Sequence, residues 1–113
     1  MDFNSTKQDT TCIFTLTGNL VGENDGMPLA DAFNEEMEDG ASNFIIDLSE
    51  LKHINSSGLG VFITLLTKVR KKGGELVLVN PSDFIKNLLL ITKLNSIFQT
   101  FATIEEAKAS FSA

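Results

Sequence analysis

The chain has 113 residues, 42% of them hydrophobic, and a formal net charge of −6. That length suits one domain, and that apolar content is enough to build a core and excludes a disordered chain. Fifteen acidic residues against nine basic ones exclude nucleic-acid binding as the main task and docking on an anionic membrane, since both need a basic face.

No apolar run reaches the roughly 18–20 residues of a membrane span, so no membrane insertion is expected. The opening residues MDFNSTKQDTTC lack the basic-then-apolar order of a secretion signal. A single cysteine leaves no internal disulfide. These features predict a cytoplasmic protein in which residues 1–113 form a single domain and residues 1–10 are partly flexible.

Thr11–Thr17 alternates, with Cys12, Phe14 and Leu16 on one face and Ile13, Thr15 and Thr17 on the other. A period of two with β-branched residues predicts a strand. Cys12 reads as a core residue, because a reactive thiolate wants exposure and a basic or histidine neighbour. Gly18-Asn19 is a turn signal, and Leu20-Val21 then starts a short second strand. Gly22–Gly26 reads as loop. Pro28 suits the first turn of a helix, and Leu29, Ala32, Phe33 and Met37 give it an apolar face. Asp31, Glu35, Glu36 and Glu38 lie on the other face, which reads as solvated rather than metal-binding. Gly40 ends the helix.

Phe44–Leu48 is apolar enough for a central strand, interrupted by Asp47. A polar loop follows, anchored in the core by Leu51 and Ile54. The second helix runs from about Ser57 to Lys72. Leu59, Phe62, Ile63 and Leu66 share one face, and Val61, Leu65 and Val69 widen it. Lys68, Arg70, Lys71 and Lys72 complement the dipole at its C-terminal end. Gly58 and Gly60 are poor helix formers, costing about 0.8–1 kcal/mol each against Ala in a helix interior. Their bare backbone marks a place of close approach.

Glu75–Asn80 predicts a strand, with Leu76–Val79 as a continuous apolar run. Ser82 caps a third helix with Phe84, Ile85, Leu88 and Leu89 inward. Lys93-Leu94-Asn95 breaks it, and Ile97–Phe101 is a short strand or an extended link. Thr103 and Glu106 fit a capping box for a last helix that turns Ala107 and Phe111 inward. Alternation of strands and helices implies parallel pairs with right-handed crossovers. The initial strands can pair as a hairpin, which makes the sheet mixed. The fold class is α/β.

Little in the chain supports catalysis. There is no phosphate-binding Gly-rich loop of the Walker kind, no complete dinucleotide fingerprint and no Cys/His cluster with zinc spacing. His53 is the lone histidine. It sits too close along the chain to Ser56 to form a Ser-His-Asp triad with it. The reading is a non-enzymatic binding or switching module without cofactors. Ser56 and Ser57 stand where a helix begins, so they are either plain caps or a place where a phosphate is added and read.

Three stretches carry a likeness. They are Ile45-Ile46-Asp47-Leu48, Ile54-Asn55-Ser56-Ser57-Gly58-Leu59-Gly60-Val61, and Lys72-Gly73-Gly74-Glu75-Leu76-Val77-Leu78-Val79-Asn80-Pro81. Together they resemble the STAS domain, and in particular the bacterial anti-sigma-factor antagonists. Gly18-Asn19-Leu20 and Ile91-Thr92-Lys93-Leu94 through Phe98 resemble that family's early and late elements. The resemblance implies a single small domain with a mixed sheet and helices mainly on one face. It implies a partner switch: the unmodified protein binds an anti-sigma factor that is itself a serine kinase, and a serine phosphatase reverses the phosphorylation. The family's phosphoacceptor matches Ser56, with Ser57 the second choice. The implied partner surface is Asn55, Ser56, Ser57, Gly58, Leu59 and Gly60, on a monomer or weak dimer.

The chain departs from the family pattern at three positions. Asn55 stands where the family usually has Asp, Val21 where an acidic residue often follows, and Lys93 where Gly is usual. Asn keeps the size and capping ability of Asp without its charge. If a kinase reads that charge, binding without a phosphorylation cycle follows instead. Such a protein is a STAS subunit of a lipid-transport or stress-sensing complex. A small-ligand binder using the bare Gly58–Gly60 backbone is the other class.

Overall fold

A computed structural model describes residues 1–112. Five strands form one sheet in the order β1-β2-β3-β4-β5. β1 (Asp2–Gln8) runs antiparallel to β2 (Thr11–Leu20). β3 (Asn43–Ile54), β4 (Glu75–Val79) and β5 (Thr100–Phe101) continue the sheet in parallel. Four helices connect or follow the strands: α1 (Glu23–Glu38), α2 (Ser56–Lys71), α3 (Asp83–Ile91) and α4 (Ile104–Ser112). The architecture is α/β with a mixed sheet, as the alternating pattern predicts.

The period of two along the strands sorts the core into two layers. Cys12, Phe14 and Leu16 of β2, Phe44, Ile46 and Leu48 of β3, and Leu76 and Leu78 of β4 face one way. They meet Leu29 and Phe33 of α1, Leu59, Phe62, Leu65 and Val69 of α2, and Ile85 and Leu89 of α3. The intervening Ile13, Ile45, Val77 and Val79 face the other way and are covered by Ala107 of α4. Three helices thus cover one face and a single short helix the other. The larger layer is centred on Phe33, whose ring stacks 4.6 Å from Phe14 and 4.5 Å from Phe44, centroid to centroid.

Several local expectations are corrected. The hairpin is not at Gly18-Asn19. It lies one strand earlier, where Asp9 takes φ 57° between β1 and β2. Gly18, at φ 90°, instead marks an irregularity inside a continuous β2, and Leu20 pairs with Ile54. The stretch predicted to be a polar loop after Leu48 is therefore strand as far as Ile54, with Leu51 and Ile54 buried as expected. β1 carries polar side chains that stay exposed around half-buried Phe3. With no apolar alternation, periodicity gives no strand signal there.

α1 begins upstream of the predicted start and takes in residues 23–26. Pro28 therefore lies inside it rather than in its first turn. The Val21 N–H donates to Asp25 Oδ2 at 3.2 Å, which holds the entering chain against the first turn. Two residues assigned to inner faces point outward: Ile63 is 36% exposed and Phe84 52%. Lys93 takes φ 62° at the break after α3, a left-handed conformation that glycine enters at no steric cost. The predicted caps of α3 and α4 both form, with Ser82 Oγ accepting from Ile85 N–H and Thr103 Oγ1 from Glu106 N–H.

Cys12 is buried as expected, 1% exposed. Burial first, and then the nearby Glu36 carboxylate, push its thiol pKa up to about 12. The thiol therefore stays protonated at neutral pH, which removes it as a nucleophile. Among the described residues no helix is long and apolar enough to cross a membrane. Among those residues, too, no group of three or more His, Cys, Asp or Glu is placed to hold a metal ion.

Candidate functional site

The candidate site lies where β3 hands the chain to α2. Asn55 is the N-cap, in extended conformation, and its Oδ1 accepts from the Gly58 N–H at 2.8 Å. Its carbonyl accepts from Leu59 N–H at 2.9 Å, the first bond of the helix. Asn55, rather than Ser56 or Ser57, therefore caps the helix. Ser56 and Ser57 occupy the first turn, exposed, with hydroxyls that no cap engages.

The two glycines play different parts. A Cβ on Gly58 would stand 2.3 Å from the Leu20 carbonyl oxygen and 2.8 Å from Ile54 Cγ1. Gly58 is what lets the start of α2 press against the ends of β2 and β3. Gly60 has nothing within 4 Å of the position a Cβ would take. Gly58 and Leu59 are buried, so the surface of this segment consists of Asn55, Ser56, Ser57 and Gly60. We expect Gly58→Ala to lower stability by about 1–3 kcal/mol, the usual range for overpacking a closed site. Urea unfolding measures it; a variant as stable as wild type would mean that the helix start moves freely.

The electrostatics favour an anion at this point. The first turn of α2 holds no acidic residue, and Lys68, Arg70 and Lys71 lie in its last turn. The partial positive charge of the N-terminus, about half an elementary charge, is therefore met only by a neutral amide cap. His53 is exposed and stands edge-on to Phe84, 6.0 Å between ring centroids. It is held by an aromatic neighbour of α3 rather than by a serine and a carboxylate.

Next to the serines, α1 and α2 leave a groove of about 430 Å³ lined by Gly26, Met27, Ala30, Ser57, Gly60 and Val61. Sequence reasoning missed the α1 side of it. The signal available was the small residues Gly26 and Ala30 on a helix otherwise rich in larger side chains.

The STAS domain matches residues 2–107 of the chain. A Thermotoga neapolitana protein named as an anti-sigma factor antagonist homolog is 35% identical over 75 residues, 66% of this chain and 66% of that protein. The anti-sigma-B factor antagonist of Listeria monocytogenes is 41% identical over 54 residues, 48% of this chain and 47% of that protein. The matches therefore span less than two thirds of either relative's length. Among solved structures, the anti-sigma factor antagonist SpoIIAA in its unphosphorylated form superposes with a TM-score of 0.83 at 21% identity. That match covers 98% of this chain and 96% of the other.

Proposed function

This chain belongs to the STAS domain family, and from that premise we propose that it acts as an anti-sigma-factor antagonist whose hold on its partner is switched at Ser56. In this reading the unmodified chain binds an anti-sigma factor that is itself a serine kinase, and so frees a sigma factor. The kinase phosphorylates Ser56, the partner leaves, and a serine phosphatase restores the binding form. The protein regulates transcription without touching DNA and without catalysis of its own. Its setting is the cytoplasm, where the transcription machinery works.

The observation that carries the proposal is the free, exposed hydroxyl of Ser56 in the first turn of α2, with Asn55 doing the capping. A phosphate adds about −1.5 to −2 charge at neutral pH. Helix N-terminal amides and the dipole tolerate such an anion, so the domain stays folded. The added bulk and charge act instead on whatever is docked there. Asn55 preserves the cap that Asp would make and omits only the charge. That omission favours a second reading, a non-cycling STAS subunit of a lipid-transport or stress-sensing complex.

Mass spectrometry after incubation with the cognate kinase separates the two. Wild type is expected to gain one phosphate on the peptide containing Ser56, with Ser57 the second choice, and Ser56→Ala to gain none. A Ser56→Ala variant phosphorylated as fully as wild type sinks the assignment to Ser56. Wild type that stays unmodified while bound to its partner supports the non-cycling reading.

A further inference from the structure

α1 and α2 both return from the carboxyl ends of parallel strands, β2 and β3, so they run side by side in one direction. Their charges are segregated. α1 carries no lysine or arginine, and α2 no aspartate or glutamate. The groove between them is lined by uncharged residues, and the charges begin beyond it. From Met27 the helical repeat carries an exposed stripe through Asp31, Asn34 and Glu38 on α1. From Gly60 it carries one through Thr64, Lys68 and Lys71 on α2. Met27 and Gly60 both line the groove, so the two stripes start level. Among the described residues Arg70 pairs with Glu75, and no ion pair joins the acidic stripe to the basic one.

The same face carries a knob and a hole. Met27 is a large apolar side chain left 59% exposed. Gly60 lies inside a sixteen-residue helix, where glycine is a poor choice, and nothing stands within 4 Å of the position a Cβ would take. Gly26 and Gly58, by contrast, are closed in by Val61 and by the Leu20 carbonyl.

We propose that this face binds a second copy of itself, about a two-fold axis that runs along the groove. Such an axis lays α1 of each copy on α2 of the other. The acidic stripe then meets the basic stripe twice, at one level along the helices. Each Met27 comes over the bare backbone of the other copy's Gly60. A two-fold axis crossing the groove would instead lay α1 on α1 and α2 on α2, opposing like charges, which interfaces avoid. Ser57 lines the same groove, so the dimer covers one flank of the start of α2.

Sedimentation over a concentration series up to about 1 mM tests this with the chain alone, so its outcome is independent of the Ser56 reading. Wild type should pass from monomer to dimer, and added salt should weaken the dimer. Asp31→Lys and Lys68→Glu should each dimerise about tenfold or more weakly, because the two-fold axis counts every reversal twice. An equimolar mixture of those two variants should recover wild-type affinity, since both contacts again join opposite charges. Met27→Ser should weaken the dimer without altering its salt dependence. Wild type that stays monomeric throughout overturns the proposal. So does a dimer that the reversals leave unchanged, which would use another surface such as the open edge of β1. A mixture no tighter than the separate variants overturns it too. Each variant is melted alongside; if a reversal melts early, Met27→Ser decides, and wild-type affinity there overturns the proposal.

Discussion

Ser56→Asp is expected to leave the fold intact and to weaken binding of the anti-sigma factor by about a hundredfold, equivalent to ~2.7 kcal/mol. The fold survives because residue 56 is exposed in the first turn of α2. A carboxylate there interacts favourably with the helix dipole, by about 0.3–1 kcal/mol. Its melting temperature should therefore equal or slightly exceed that of wild type. Binding suffers because a new anion is placed in the middle of a docked surface. Like charges brought together at an interface cost several kcal/mol. Asp carries less charge and less bulk than a phosphoserine, so true phosphorylation should weaken binding further. Ser56→Ala should bind as wild type does. Titration of the three chains against the purified partner reads the result. Equal affinity of Ser56→Asp and wild type would show that Ser56 lies outside the interface.

Phe33→Ala has the largest expected effect on stability. Phe33 is fully buried and stacked between Phe14 and Phe44. Truncating a buried Phe to Ala costs about 3–5 kcal/mol, through lost transfer energy and an unfilled cavity. Each stacked aromatic pair contributes about 0.5–1.5 kcal/mol beyond its buried area, which places this site toward the upper end. Domains of this size are stable by about 5–15 kcal/mol, so the variant should be marginal. It also loosens α1 from the sheet, and with it one wall of the groove. Urea unfolding measures the loss; one below about 1 kcal/mol would show that α1 closes over the gap and that the aromatic stack is not what seats it.

The strength of the sequence signal followed the degree of burial. β4 and the inner faces of α1 and α2 were legible because a buried strand or helix must repeat its apolar residues at its own period. The caps of α3 and α4 were legible because a serine or threonine before a helix has a local partner a few residues ahead. β1 was not legible. It is an edge strand held by main-chain bonds to β2, and its polar side chains carry no alternation. The extension of β3 to Ile54 was missed for a related reason. Ser49, Glu50, Lys52 and His53 are exposed and read as loop, yet their backbone still pairs with β2. Phe84 is apolar and so reads as inward, yet the way α3 lies on the sheet leaves it exposed.

At the candidate site the division is sharper. The residues themselves determined that a strand leads to a serine-bearing helix start and that Asn55 can cap without charge. They also carried the resemblance to a family whose acceptor serine aligns with Ser56. Those are properties of residue type and short spacing, which local chemistry decides. Gly58 and Gly60 are indistinguishable by the same means. Only the tertiary structure separates them, because the reason lies in atoms distant along the chain: the Leu20 carbonyl closes the space at Gly58, and the gap beside α1 leaves it open at Gly60.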